Sequence, residues 1–109
     1  MKTTINQLAV LERAKTMVIK GYNLNQSLTT SSMIELLQIQ LMNGTAHFIY
    51  RKKDGELREA FGTLLPKVVT NNINGCGEPR SYYNCQAYFD IESQGWRSLK
   101  YENLVTILN

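Results

Sequence analysis

The apolar residues of this chain change period once, and the change falls at Asn43-Gly44. Before it they recur at steps of three and four, with Ile5, Leu8, Leu11, Ala14 and Val18 in one stripe and Ile34, Leu37 and Leu41 in another. After it they alternate, with Ala46, Phe48 and Tyr50 on one face and His47, Ile49 and Arg51 on the other. The first spacing fits the 3.6-residue helix, the second the two-residue pleat of a strand. Helices first and strands afterwards make an α+β protein. The 109 residues suffice for one core, so the expected division is an N-terminal helical segment, 1–43, and a β unit, 44–109.

Thr4 followed by Gln7 has capping-box spacing, so the first stripe predicts a helix over 5–20 that ends at Gly21. The stretch "NLNQSLTTSS" is polar and reads as a connector. Ser32 and Glu35 repeat the capping-box spacing, and Asn43-Gly44 stops the second stripe, which predicts a second helix over about 32–43. "QIQL" alternates and on its own also fits a strand; the cap and the glycine stop favour the helix.

In "AHFIYRKKDGELREAFGTL" two strand-forming runs flank Lys53-Asp54-Gly55, the chemistry of a tight hairpin turn. Gly62 inside the returning strand marks a bulge or sharp bend of the kind small barrels need. Residues 71–84 collect asparagine, glycine and proline and read as a long loop. "CQAYFDIES", "WRSL" and "LVTIL" follow as strands, separated by turns at "QG" and "KYEN". Five short strands at this spacing point to a small β-barrel.

Composition narrows the function classes. A net charge of +3 suits an acidic partner. Cys76 and Cys85 have no CxxC spacing and His47 stands far from both, so neither a thiol-imidazole zinc set nor any other cofactor is expected. The two thiols can stay reduced or close the 76–85 loop. His47 has no serine or cysteine at a diagnostic spacing, and no enzymatic activity is expected. No apolar run reaches the roughly 18 to 20 residues of a membrane span, and "MKTTINQLAV" lacks the apolar centre of a signal peptide; a cytoplasmic protein without membrane contact is expected.

Several features occur together in order. These are the turn Lys53-Asp54-Gly55, Arg58-Glu59 followed by Gly62-Thr63-Leu64, the run from Phe89 to Glu92, and Gly95-Trp96-Arg97-Ser98 before an apolar end. In this ordered set the chain resembles, over about residues 44–108, a family of small bacterial and phage proteins described as WYL-related and Sm-like, with an SH3-type β-barrel. The resemblance implies a small five-stranded Sm-like barrel, here preceded by two helices, and no established enzymatic activity. The larger WYL domains, to which that family is distantly similar, are associated with transcriptional regulators. A helix-turn-helix reader such as theirs is not identifiable in this chain.

Two surfaces stand out for binding. Arg51, Lys52, Lys53 and Arg58 surround the first hairpin, interleaved with Asp54, Glu56 and Glu59. They read as a solvated turn with cross-strand pairs or as phosphate contacts. Arg80, Tyr82 and Tyr83 lie in the long loop, where a guanidinium and aromatic faces suit single-stranded nucleic acid; alternatively one tyrosine folds back over the barrel mouth. Trp96 reads as a core or rim anchor, with Arg97 facing away from it towards Asp90 or Glu92, or available with Lys100 to an anionic ligand. The expected function is a non-enzymatic module binding single-stranded DNA or RNA, or a regulatory one, through Arg51, Lys52, Lys53, Arg80, Tyr82, Tyr83, Arg97 and Lys100. The alternative is a protein-interaction or self-assembling accessory module, phage or mobile-element encoded, that docks on a host protein or forms a homo-oligomer.

Overall fold

The computed structural model describes residues 5–70 and 84–108. Helix α1, Gln7–Ile19, and helix α2, Leu24–Asn43, precede strands β1, Thr45–Arg51, and β2, Leu57–Thr63. A short helix α3, Pro66–Thr70, follows, then β3, Cys85–Asp90, β4, Gly95–Lys100, a 3₁₀ turn, Tyr101–Asn103, and β5, Leu104–Leu108. The strands form one antiparallel sheet in the order β4-β3-β2-β1-β5. The outer strands of this order are consecutive in the chain. A flat five-stranded sheet would hold them roughly 19 Å apart, at about 4.8 Å per strand. One 3₁₀ turn, rising about 2 Å per residue, spans less than half of that. The sheet therefore curls, and the α+β arrangement of two helices before a small Sm-like barrel fold follows.

The strand alternation holds in the structure. Ala46, Phe48 and Tyr50 of β1 point inward and meet Ala60, Tyr88, Leu99 and Leu104, while Ile34, Leu37 and Leu41 of α2 cover them. Burying each of these three aliphatic chains contributes about 1.5–3 kcal/mol. Phe48 and Tyr88 pack edge to face with centroids 5.0 Å apart, and the Tyr50 and Tyr88 hydroxyls hydrogen-bond at 2.8 Å. Burial, reinforced by that bond, pushes the Tyr88 phenol far above its ordinary range.

Gly62 and Thr63 join the two halves of the sheet. Among the described residues β2 pairs with β3 only through Gly62↔Asp90 and Thr63↔Phe89. A side chain at Gly62 would run into the buried Tyr88 ring, with its Cγ at 3.1 Å and its Cβ at 3.3 Å from the added carbon. Gly62 is thus a position of close approach, and the register shift of the sheet falls between Ile49 and Tyr50 in the β1–β5 ladder. Thr63 Oγ1 donates to the Gly44 carbonyl at 2.8 Å and the Leu64 N–H to the Leu41 carbonyl at 2.8 Å. Both satisfy carbonyls that the end of α2 leaves open.

The helical half departs from the periodicity in three ways. The stretch 24–31, expected as a connector, is the first part of α2, capped by the Asn23 side chain, which accepts from the Gln26 N–H. Its small polar residues Ser27, Thr30 and Ser31 are buried and let the helices approach closely. Ser31 Oγ donates to the Val10 carbonyl at 2.7 Å. Secondly, Glu35 caps nothing within α2: it accepts from the Asn6 N–H at 3.0 Å and pairs with Arg13 at 3.4 Å. Thirdly, α1 starts after Asn6, whose side chain accepts from the Ala9 N–H, and it buries Val10, Ala14 and Met17. Of the predicted stripe only Ala14 is buried; Ile5, Leu8, Leu11 and Val18 face outward. Arg13 decides the rotation. Its guanidinium donates to the Ser31 carbonyl and hydroxyl at 3.1 Å each and lies 5.3 Å from the centre of the Tyr101 ring, fixing the buried face beside it.

The two glycines give a graded test. Gly55 has φ of +93° and open space around it, so Gly55→Ala should cost about 1–2 kcal/mol through backbone strain alone. Gly62→Ala should cost more, at or above the upper end of the roughly 1–3 kcal/mol of overpacking, because the Tyr88 ring cannot yield. Urea unfolding of both variants measures the order; equal stability of Gly62→Ala and wild type would refute the close approach.

Candidate nucleic-acid interface

Because β2 meets β3 only at Gly62 and Thr63, the hairpin half of β2 has no partner in β3, and a groove of about 830 Å³ opens between the hairpin and β4. The hairpin loop is built locally. The Lys52 N–H donates to the Glu56 carbonyl at 2.7 Å, Gly55 takes a positive φ, and Asp54 Oδ1 accepts from the Glu56 N–H at 3.0 Å. Arg51 Nη1 donates to the Gly55 carbonyl at 2.7 Å and closes the loop from the side. On the opposite wall β4 presents Trp96, Arg97 and Lys100, and the 3₁₀ turn adds Glu102.

Among the described residues six cationic side chains, Arg51, Lys52, Lys53, Arg58, Arg97 and Lys100, line the groove together with one carboxylate, Glu102. Lys52 is shared between Asp54 at 3.8 Å and Glu56 at 3.5 Å, and Arg97 Nε donates to Asp90 Oδ2 at 2.7 Å. Among the described residues no carboxylate lies within ion-pair distance of Arg51, Lys53, Arg58 or Lys100. Among the described residues these four cations, three exposed and Arg58 partly so, thus have no carboxylate at close range. Of the residues singled out from sequence, Arg51, Lys52, Lys53, Arg97 and Lys100 share this groove, with Arg58 beside them. Arg80, Tyr82 and Tyr83 lie outside the described residues, as do the other residues of 71–83, Cys76 among them.

The family model described as WYL_2, Sm-like SH3 beta-barrel fold, matches residues 34–105. The chain belongs to the WYL_2 family. No curated protein and no solved structure matches it. The WYL_2 match begins inside α2, at the first of its three core residues, and takes in both walls of the groove. It leaves α1 and the first part of α2 outside.

Of the two places expected for Trp96, core or rim, the rim is the one it takes in this WYL_2 chain, where it lines the groove. It keeps 39% of its surface exposed, and its ring meets Phe89 edge on at a centroid distance of 5.8 Å. The alternation of β4 holds, with Leu99 and Arg97 opposite Gln86 and Tyr88 on one face and Trp96 opposite Phe89 on the other, and the core lies on the face of Tyr88 and Leu99. The core's large aromatics come from β1 and β3 instead. Tyr22 and Tyr50 also line the groove, so aromatic and cationic groups are interleaved there. Sequence spacing could not disclose this, since Tyr22 comes from the turn after α1.

Asp90 organises the wall behind Arg97. Its side chain is 5% exposed, and Oδ1 accepts from the backbone N–H groups of Glu92 and Ser93 at 3.0 and 3.3 Å. Burial alone would raise its pKa. The Ser93 and Glu92 N–H groups and the Arg97 guanidinium together outweigh it and hold the carboxyl below the ordinary range. His47, by contrast, lies on the other face of β1, stacked on Phe61 at 4.1 Å with Nε2 2.5 Å from Glu59. Among the described residues no group of three His, Cys, Asp or Glu could hold a metal ion, and no helix is long and apolar enough to cross a membrane.

Two outcomes follow. Trp96→Ala should cost about 1–2 kcal/mol in thermal unfolding, less than the roughly 3–5 kcal/mol of a buried tryptophan; the larger figure would place the indole in the core. The folded-state pKa of Asp90 lies below its unfolded value, so its contribution to stability is complete above the ordinary carboxylate range and is lost as pH falls through the lowered value. Asp90→Asn should therefore flatten the acid limb of the stability profile, and an unaltered limb would refute the assignment.

Proposed function

We propose that this WYL_2 barrel is a non-enzymatic module that binds single-stranded nucleic acid in the groove between the β1–β2 hairpin and β4. One observation carries the reading: four cations without close carboxylates, Arg51, Lys53, Arg58 and Lys100, stand in the same groove as a half-exposed tryptophan. A single strand needs both kinds of group, because its phosphates are met by point charges and its bases by aromatic faces, at about 1–3 kcal/mol per stacked base. A duplex offers its base faces to neither. Arg97 has its charge committed to Asp90 and sets the wall more than it attracts phosphate.

Trp96 is the only tryptophan of the chain, so its fluorescence reports on the groove directly. Titration with oligo(dT) and oligo(U) should quench it, with log affinity falling linearly against log salt. Lys53→Ala and Lys100→Ala should each lower the salt slope by about 0.7, the value for one phosphate of a single strand, and leave the melting temperature in place. Absence of quenching and of any mobility shift at low salt would end the proposal.

A further inference from the structure

Helix α1 has two apolar faces and only one is used within the chain. Val10, Ala14 and Met17 pack against α2. Leu8, Leu11, Val18 and Ile19 lie round the helix from them and remain 66, 57, 38 and 75% exposed. With Ile5 they offer on the order of 500 Å² of apolar surface, the size at which a patch on a monomer is commonly an interaction site.

We propose that this face joins two copies of the chain through an antiparallel contact between their α1 helices. The occupant is set by the pattern of the stripe. Leu8, Leu11, Lys15 and Val18 are spaced 3-4-3, which reads the same in both directions. About a two-fold axis beside position 13, Leu8 of one copy meets Val18 of the other, and Leu11 meets the methylene stem of Lys15. Lys15 then brings its ammonium beside Glu12 of the other copy, twice over. Neither Glu12 nor Lys15 has an ion-pair partner within the chain among the described residues. A face meant for an unrelated apolar partner has no need of opposite charges flanking its centre, as Glu12 and Lys15 do. One helix pair falls short of the roughly 800 Å² per partner of a standard interface, so the association is reversible. The face lies outside the residues that the family model matches, and none of its side chains lines the groove, so the dimer is independent of the groove's reading.

Sedimentation equilibrium of the full chain over micromolar to submillimolar concentrations tests it. Wild type should show a monomer–dimer equilibrium, and Leu11→Glu should weaken it by roughly tenfold or more with an unchanged circular dichroism spectrum, since Leu11 is exposed. Glu12→Lys and Lys15→Glu should each weaken the dimer, and the double reversal should restore it. These exposed positions keep the test decisive if Leu11→Glu perturbs the fold. A monomer at every concentration, a dimer untouched by Leu11→Glu, or charge reversals that fail to compensate would each overturn the proposal.

Discussion

The sheet is continuous because a ring can lie over Gly62. Tyr88 occupies the space that a side chain there would fill, and from that place it reaches both the Phe48 ring and the Tyr50 hydroxyl. Strands β1, β2 and β3 are thus locked by one aromatic contact at the point where β2 and β3 have only two pairs in register. The next two residues continue the work: Thr63 and the Leu64 N–H take carbonyls at the end of α2. Gly-Thr-Leu therefore couples the sheet to the helix that covers its core.

The same brief pairing creates the groove. Had β2 met β3 along its length, the hairpin would be tied into a continuous ladder. Instead the hairpin stands apart from β4, and the curl of the sheet sets their cations opposite one another. Like charges so gathered repel and lower stability slightly, and Arg51 offsets part of this by closing the hairpin loop on the Gly55 carbonyl.

Arg13 performs the corresponding role in the helical half. A guanidinium buried at 10% exposure must have its donors met, and Ser31, Glu35 and Gln38 accept them while Tyr101 covers its face. This fixes α1 against α2 and both against the 3₁₀ turn. It also leaves the larger aliphatic residues of α1 outward, which is the source of the unpaired face.

How far the sequence alone reached follows the range of the forces involved. Strand alternation in β1, the Lys53-Asp54-Gly55 turn, the stop at Asn43-Gly44 and the Arg97–Asp90 pairing were legible because each depends on residues close in sequence or opposite in a hairpin. The basic members of the groove could be named individually for the same reason. What they had in common could not, since Lys53 and Lys100 come to line one groove only in the folded sheet. Residues 24–31 hid their helix because serine, threonine and asparagine are weak helix formers, and it took the close approach of α1 to make small side chains an advantage. Trp96 read as a core or rim residue from its size, and only the strand register decided for the rim, because it sets the indole opposite Phe89 on the face away from Tyr88 and Leu99. Period and turn chemistry determined which elements this chain forms; the choice between the two apolar faces of α1, and the gathering of charge into one groove, were decided only by tertiary packing, because a buried arginine and a curled sheet act across distances that no local pattern encodes.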